Sequence, residues 1–229
     1  MRIVSLVPSV TESLLAWGVR PVAVTRFCER PELPQVGGTK NPDVRAIVEL
    51  APDLVVMNEE ENRREDAEAL RASGVAVHVV RVGSVHDVEP AMEELAVLVG
   101  GPRVVRVELG ASRPARLRAF VPIWRRPWMT IGRDSYGASV IRHLGVGNVF
   151  DDRDRYPEVS LDEVAERAPD VVLAPSEPYP FGERHRGELE ALAPVLFVDG
   201  RDLFWWGTRT ADALARLERQ LRGFAGPTR

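Results

Sequence analysis

One phrase occurs twice in this chain of 229 residues: Ala-Pro-Asp begins at Ala51 and again at Ala168. Each copy follows a stretch with helical spacing, at 44–50 and 161–167, and continues into an apolar segment, LVVM or VVLA. The proline ends each helix, because the residue before a proline is pushed out of the α region. The apolar segments have the length of a strand that is buried on both faces. The sequence therefore predicts a helix–turn–strand unit that is used twice.

A second pair of matching segments precedes the first pair. Residues 2–18 and 128–145 each read as a strand followed by a helix, with Gly18 and Gly145 where a helix favours a glycine after its last turn. The same order of strands, helices and Ala-Pro-Asp phrases thus occurs in both halves. This long period predicts two similar lobes, because the repeats of a solenoid are much shorter.

Local capping signals mark three predicted helix starts. Ser9 with Glu12 and Ser160 with Glu163 have the S-x-x-E spacing of a capping box, and Asp43 is a candidate N-cap. These signals place the helices that precede and follow the predicted strands.

The predicted domain organisation has three parts: an N-terminal α/β lobe over 1–83, a helical connector over 84–127, and a C-terminal α/β lobe over 128–229 that ends in a closing helix. In the first lobe, strands are predicted at 3–6, 22–25, 54–57 and 75–80, and helices at 10–17, 44–50 and about 62–72. Alternating strands and helices indicate mostly parallel sheets covered by helices. In the connector, 88–99 and 103–120 are predicted to be helical, with Gly-Gly-Pro between them.

Composition excludes some classes of protein. A formal charge of −4 and a pI near 5.7 argue against a nucleic-acid partner. Cys28 is the single cysteine, so no internal disulfide forms, which fits a reducing compartment. No apolar stretch approaches the roughly 18–20 residues that span a bilayer, so no membrane insertion is expected. No signal peptide is recognisable, which predicts a cytoplasmic protein as written, or a periplasmic or extracellular one if a leader was removed.

Candidate binding loops follow from the fold class, because ligands of parallel sheets bind beyond the carboxyl ends of the strands. These loops are 7–12, 25–31, 36–42 and 58–63 in the first lobe, and 132–137, 154–159, 175–181 and 199–210 in the second. Aromatic residues and arginine are concentrated in the second set, and small or polar residues in the first. A cleft between the lobes is therefore expected to have aromatic walls and a few polar groups, as small-molecule sites usually do.

Several features of these loops have two interpretations. Gly37-Gly38 either lets a ligand approach the backbone or simply makes a turn. Trp205 and Trp206 are suited to stack on a flat ligand, although adjacent residues rarely share a face and one of them then packs in the core. The glutamates at 59–61 suit either a cation or a solvated helix start.

Metal and catalytic motifs are weak. The four histidines lack zinc-ligand spacing, so no protein-bound metal is expected. Cys28 with Glu29 offers one soft and one hard ligand, but a lone buried thiol is the commoner finding. The sequence contains no G-x-S-x-G, P-loop or strand-linked G-x-G-x-x-G motif, and no histidine is placed to activate a serine. No catalytic residues are predicted.

Long segments resemble the class III substrate-binding proteins of ABC transporters. These proteins are receptors for vitamin B12 and ferric siderophores, and they include the helical-backbone metal receptors. The segments are 2–18, with S-L-x-P-S-x-T-E, then 36–56 and 60–77 in the first half, and 132–152, 156–174 and 202–217 in the second. The resemblance implies two α/β lobes joined by a long helix, with the ligand in a cleft between them.

The same resemblance implies the ligand contacts. They lie at Pro8, Ser9, Thr11, Gly37, Gly38, Thr39, Lys40, Tyr156, Trp205 and Trp206, and Phe27 and Arg133 in the candidate loops complete the predicted site. No covalent cofactor is implied. The ligand is a metal chelate, with cobalamin expected first and a ferric siderophore or haem as alternatives. Secreted members of the family dock on a membrane permease through one acidic residue on each lobe, and Glu65 and Glu183 lie in the corresponding regions.

Two functions follow as hypotheses. The first is non-catalytic capture of a metal chelate, in an ABC-transporter receptor or a cytoplasmic relative. The second is a cytoplasmic enzyme or regulatory adaptor that uses the same fold. It requires a polar cluster with strongly shifted pKa values, for which the candidates are Glu29, Arg133, Asp134 and Asp202.

Overall fold

The computed structural model describes residues 1–102 and 104–224. These residues form two compact units. The first comprises 1–82, 86–102, 104–107 and 206–208, and the second comprises 83–85, 108–205 and 209–224. Arg103, where the second connector helix was predicted to start, lies outside the described residues.

The first unit contains a parallel sheet with the strand order β2-β1-β3-β4. Its strands are β1 (Ile3–Ser5), β2 (Ala23–Val24), β3 (Leu54–Asn58) and β4 (Val77–Val80). Its helices are α1 (Pro8–Ala16), α2 (Val44–Glu49), α3 (Arg64–Ala72) and α4 (Val88–Val99). The core lies between the sheet and its helices, where Leu6, Ile47 and Leu70 have no solvent exposure. The predicted strands and helices of this region are confirmed.

The second unit contains a parallel sheet with the order β10-β9-β5-β8 and a separate antiparallel pair, β6-β7. Its strands are β5 (Leu117–Phe120), β6 (Pro122–Trp124), β7 (Met129–Thr130), β8 (Val146–Asn148), β9 (Val171–Pro175) and β10 (Val195–Val198). Its helices are α5 (Tyr136–His143), α6 (Leu161–Glu166), α7 (Arg186–Glu190), α8 (Gly200–Phe204) and α9 (Thr210–Gly223). Phe120 and Phe150 lie at the centre of its core. None of the helices in the described ranges is long and apolar enough to cross a membrane.

The two parallel sheets have the same topology. When β5, β8, β9 and β10 are matched to β1, β2, β3 and β4, both sheets read second–first–third–fourth strand. The matched helices α2 and α6 precede the third strand in each unit. The predicted α/β class with two similar, mostly parallel lobes is confirmed.

The repeated Ala-Pro-Asp phrase has the same structural role in both units. Asp53 Oδ2 accepts a hydrogen bond from the Arg2 backbone N–H at 2.6 Å, and its own N–H donates to the Arg2 carbonyl at 2.8 Å. Asp170 makes the same pair of bonds with Arg118, both at 2.8 Å. Each aspartate therefore holds the start of the central first strand against the third strand. The preceding alanines, Ala51 and Ala168, adopt left-handed conformations with φ of 44° and 48°, which turn the chain from helix to strand.

Two details of the predicted second half are wrong. The segment predicted as a helix over 103–120 has no helix in its described part and ends in β5, because Gly110 and Pro114 interrupt it and the sheet recruits 117–120. The WMTIG segment does not form the counterpart of β1. It supplies β7, which pairs with β6 outside the parallel sheet.

The capping predictions have mixed outcomes. Asp43 Oδ1 accepts from the Ala46 N–H at 2.9 Å, and Ser160 Oγ accepts from the Glu163 N–H at 3.1 Å, as predicted. Ser9 is not an N-cap, because α1 already begins at Pro8, whose fixed φ suits a first helical position.

Candidate functional site

The loop after β2 presents an exposed aromatic side chain. A 3₁₀ helix, Arg26–Cys28, ends at Glu29 in a left-handed conformation with φ of 52°. Phe27 is 49% exposed, and the Arg26 guanidinium lies 4.8 Å from the centre of its ring. The loop therefore holds an apolar face at the carboxyl end of the first sheet.

Buried hydroxyl groups hold this loop beneath Phe27. The Thr11 hydroxyl lies 2.9 Å from Ser5 Oγ, 3.0 Å from the Val7 carbonyl and 3.2 Å from Cys28 Sγ. Burial raises the pKa of the Cys28 thiol, while hydrogen bonds from Thr11 and Thr25 partly oppose the increase. The cysteine is thus held as a buried thiol that anchors the loop to α1.

The predicted contacts at the start of α1 are also buried. Pro8 is buried, and Ser9 and Thr11 are each 1% exposed. Ser9 Oγ accepts from the Trp206 backbone N–H at 3.3 Å. These three residues support the neighbouring loops from within the first unit.

The Gly37–Lys40 loop is closely packed and polar. Gly37 has φ of 91°, and a Cβ there would come within 2.6 Å of the Asn41 carbonyl oxygen, so this position requires glycine. A Cβ on Gly38 would meet the ends of the Asn41 and Arg26 side chains. Lys40 is exposed, and its Nζ donates to the Glu60 carbonyl at 2.5 Å. Thr39 is half-buried beside it.

Two buried asparagines join this loop to the end of β3, and sequence reasoning missed both. Asn62 Nδ2 donates to the Thr39 carbonyl at 2.9 Å, and its Oδ1 accepts from the Asn58 N–H at 2.7 Å. Asn58 Oδ1 accepts from the N–H groups of Glu60 and Glu61 at 2.9 and 3.1 Å. The detectable signal was an asparagine pair four residues apart that begins where a buried apolar strand ends.

The glutamate run at 59–61 is a structural part of this turn. Glu59 pairs with Arg81 at 3.2 Å, and the backbone of the next two glutamates is held by Asn58. Across the described parts of the chain, no group of three or more His, Cys, Asp or Glu side chains is arranged to hold a metal ion.

The equivalent loop of the second unit, after β8, presents Tyr156. Its side chain is 36% exposed. Arg133, also exposed, lies beside this loop, with Nη2 2.5 Å from Asp154 Oδ1 and Nε 3.7 Å from Asp134 Oδ1. The carboxyl end of the second sheet thus combines an aromatic ring with a charged pair.

The adjacent tryptophans occupy different environments. Trp205 is half-buried between two arginines, since the guanidinium carbons of Arg201 and Arg209 lie 5.5 and 5.6 Å from its ring centre. Trp206 is 3% exposed. Gly207, which follows with φ of 110°, leaves no room for a Cβ next to Ser13 Oγ. Of the two indoles, Trp205 is the one available to a ligand.

Asp202, a candidate for the alternative polar cluster, is a structural ion-pair residue. It is 3% exposed and accepts from Arg209 at 2.9 Å and from Arg216 at 2.7 and 2.8 Å. Burial acts to raise the pKa of Asp202, but hydrogen bonds from Arg216 and Arg209 outweigh it and hold the pKa below its usual range. The aspartate fastens α8 to α9, which accounts for its perturbed pKa without a catalytic role.

The structure brings together an aromatic cluster after β5 and β9, for which the sequence analysis named the 175–181 loop but not its partner segment 122–128. Trp124 is 44% exposed and meets Tyr179 edge-on at 5.6 Å, and Trp128 stacks on Phe181 at 5.9 Å. His185 lies beneath them, 5.4 Å from Phe181. Its pKa is lowered first by burial and then by the nearby cations of Arg184 and Arg125. The signal was the density of aromatic and proline residues in 122–128 and 178–181.

Comparison with known proteins finds relatives in both sequence and structure. Residues 3–104 match the family described as periplasmic binding protein. The vitamin B12-binding protein of Salmonella paratyphi A is 28% identical over 191 residues, which cover 75% of this chain and 71% of that protein. The crystal structure of the periplasmic vitamin B12 binding protein of Vibrio cholerae gives a TM-score of 0.80 at 23% identity, with 96% of each chain covered. The periplasmic haem-binding protein of Roseiflexus sp. RS-1 gives 0.79 at 22%, with 97% of this chain and 98% of that chain covered.

Proposed function

Because this chain belongs to the class III periplasmic binding proteins, we propose that it binds a metal-chelate ligand without converting it, and that the ligand is cobalamin. The proposal is supported by one observation above all. The matched loops after β2 and β8 each present an exposed aromatic ring, Phe27 and Tyr156, beyond the carboxyl end of a parallel sheet.

The chemistry of these groups suits a corrinoid. A corrin ring is broad and apolar on its faces and carries amide groups at its rim. Aromatic rings such as Phe27, Tyr156 and Trp205 cover apolar faces, and buried stacking contributes about 0.5–1.5 kcal/mol per ring beyond the area buried. Lys40 and Arg133 are exposed cations that are suited to hydrogen-bond rim oxygens.

In this proposal the site residues form two groups, one exposed or half-buried and one buried. Phe27, Thr39, Lys40, Arg133, Tyr156 and Trp205 contact the ligand, with Gly37 and Gly38 allowing close approach of the backbone. Pro8, Ser9, Thr11 and Trp206 are buried and support those contacts. That the ligand lies between the lobes stays a prediction.

Sequence identity supports cobalamin over haem as the first ligand. The curated relatives that match this chain at 24–28% identity are vitamin B12-binding proteins. The haem-binding neighbours share the fold at 20–22% identity, and the structure of the vitamin B12 binding protein of Vibrio cholerae shares it at 23%. Haem and ferric siderophores are therefore the alternatives to be tested beside cobalamin.

The proposal includes delivery of the ligand to an ABC permease. Glu65 in the first turn of α3 and Glu183 in the 3₁₀ helix before α7 are exposed, and each lies in the segment between the third and fourth strands of its unit. Reversing both charges should leave cobalamin affinity unchanged and reduce cobalamin uptake by cells that depend on this chain. The compartment in which the protein works stays a prediction.

Ligand titration tests the proposal. Purified protein is titrated with cyanocobalamin, haemin and ferrichrome, with absorbance and melting temperature as readouts. At a hundredfold excess over the dissociation constant, a ligand stabilises the fold by about 2.7 kcal/mol. Trp205→Ala, Phe27→Ala and Tyr156→Ala should each weaken cobalamin binding about tenfold, the equivalent of about 1.4 kcal/mol.

A matched control is available on α4. Val97 is 83% exposed, and Val97→Ala should leave the affinity unchanged. If only haemin or ferrichrome bound, the proposal of chelate capture would stand, and that chelate would replace cobalamin as the proposed ligand. The absence of binding to all three chelates would contradict the proposed function.

A further inference from the structure

A pocket of about 300 Å³ lies in the first unit, between α3 and the ends of β3 and β4. Four arginines line it: Arg63, Arg64, Arg71 and Arg81. Positions 64, 67 and 71 share one face of α3. The small Ala67 between the two arginines of that face leaves the pocket open.

The charge of this pocket is opposite to that of the whole chain. The chain carries a formal charge of −4, yet among the described residues that line the pocket Glu59 is the single carboxylate against four arginines. Clustered like charges repel one another, and a concave basic surface concentrates anions. We therefore expect the pocket to attract a negatively charged group.

One of the arginines, Arg71, is more available than the others. Arg63 and Arg64 pair with Asp66 and Glu68 along α3, at 3.2 and 2.7 Å. By contrast, Arg71 reaches only a long hydrogen bond of 3.4 Å, to the Val77 carbonyl. Arg81 pairs with Glu59 at 3.2 Å, and both side chains are more than half exposed, so this ion pair is weak and open to competition by another anion.

The start of α3 adds donors at the rim of the same pocket. Its N-cap residue is Arg63, whose side chain makes no capping hydrogen bond. First-turn N–H groups of a helix favour an anion, and cationic side chains at a helix start are otherwise unfavourable. The first turn already carries Glu65 and Asp66, and Asp66 pairs with Arg63 at 3.2 Å, so a bound anion would compete with this carboxylate for the N-cap arginine.

We propose that this pocket binds a small molecule carrying two or more negative charges on phosphate groups. Guanidinium forks match phosphate oxygens in pairs. Arg71, together with Arg81 once a phosphate displaces its exposed partner Glu59, suits two phosphoryl groups. A volume of 300 Å³ corresponds to about ten water molecules, which admits a diphosphate or a small phosphate ester. The concave shape, open to solvent on one side, favours such a small ligand over the flat acidic surface of a protein partner.

Calorimetric titration with inorganic diphosphate at constant ionic strength tests this site. Arg71→Gln and Arg81→Gln should each weaken binding at least tenfold. Glu59→Gln should strengthen it severalfold, because it removes the lining carboxylate that competes for Arg81. Arg45→Gln is the matched control, since Arg45 is 90% exposed on α2 and pairs with Glu49 away from the pocket.

The outcomes separate the alternatives. Saturable binding with these opposite effects of the glutamate and arginine changes establishes the site. Diphosphate binding that is no stronger than sulfate binding, equal effects of Arg71→Gln and Arg45→Gln, or binding of an acidic peptide but not of diphosphate would overturn it. Circular dichroism and cobalamin titration of the same samples verify folding and keep this test independent of the proposed function.

Discussion

The two units share their framework and differ in their loops. Both have the same strand order, and in both an aspartate holds the first strand against the third. Beyond the strands, the first unit uses buried amides and hydroxyls such as Asn58, Asn62 and Thr11. The second uses aromatic rings and arginines around Trp124 and Trp205. The comparison shows that the two units keep the same packing where strands meet helices, while the loops beyond the strands differ in composition.

The largest expected effect concerns the matched core positions Ile47 and Val164, which are both fully buried. Ile47→Ala should destabilise the protein by about 2–5 kcal/mol, because it removes buried methyl groups and leaves a cavity. Val164→Ala removes one methylene fewer and should cost about 1 kcal/mol less. Denaturant unfolding measures both. A larger loss at Val164 would show that the two cores are not equivalent.

A smaller effect is expected at the repeated aspartates. Asp53→Ala and Asp170→Ala each remove a charge-assisted hydrogen bond to a strand N–H and should cost about 1–2 kcal/mol. The loss should be smaller in the first unit, where Arg2 also donates to the Leu50 carbonyl at 2.8 Å and Asp53 is more exposed than Asp170. Thermal unfolding of the two variants compares the units directly. Asparagine at each position, which keeps an acceptor, should restore part of the loss.

The smallest expected effect is the dependence of stability on pH, which involves one histidine in each unit. Burial lowers the pKa of His78, where Glu94 opposes the shift, and burial with Arg184 and Arg125 lowers the pKa of His185. A histidine whose pKa is lowered by folding takes up its proton first in the unfolded chain. Stability should therefore fall as the pH drops through the ordinary histidine pKa of 6.5.

Unfolding between about pH 5 and 7 checks this expectation. His78→Gln and His185→Gln should each flatten the dependence of stability on pH, and Glu94→Gln should steepen it, because Glu94 favours the charged form of His78. An unchanged slope in both histidine variants would contradict the proposed origin of the dependence.

Much of the framework could be predicted from local patterns. Asp43 and Ser160 cap their helices as expected, and Gly18 and Gly145 adopt the positive φ that their positions imply. Such features depend on neighbours within a few residues, so the sequence displays them directly. Residues 117–120 were misassigned because their strand conformation depends on β9 and β8, which follow much later in the chain.

The candidate site was harder to predict. Phe27, Tyr156 and Trp205 are exposed or half-exposed as a ligand contact requires, whereas Ser9, Thr11 and Trp206 are buried. Sequence position places all six residues beyond the carboxyl ends of predicted strands, and their part in the site stays a prediction. It does not state which way each side chain points, because that depends on the packing of elements distant in the chain.

The sequence by itself determined the class of fold, the repeat and the turns of the repeated phrase, since period, proline and capping residues act locally. Only the tertiary structure decided that Trp206 is buried while Trp205 is available, that Asp202 pairs with two arginines, and that four arginines line one pocket. These properties arise from contacts between segments far apart in sequence. Their energies depend on burial and on distance, which no local pattern records.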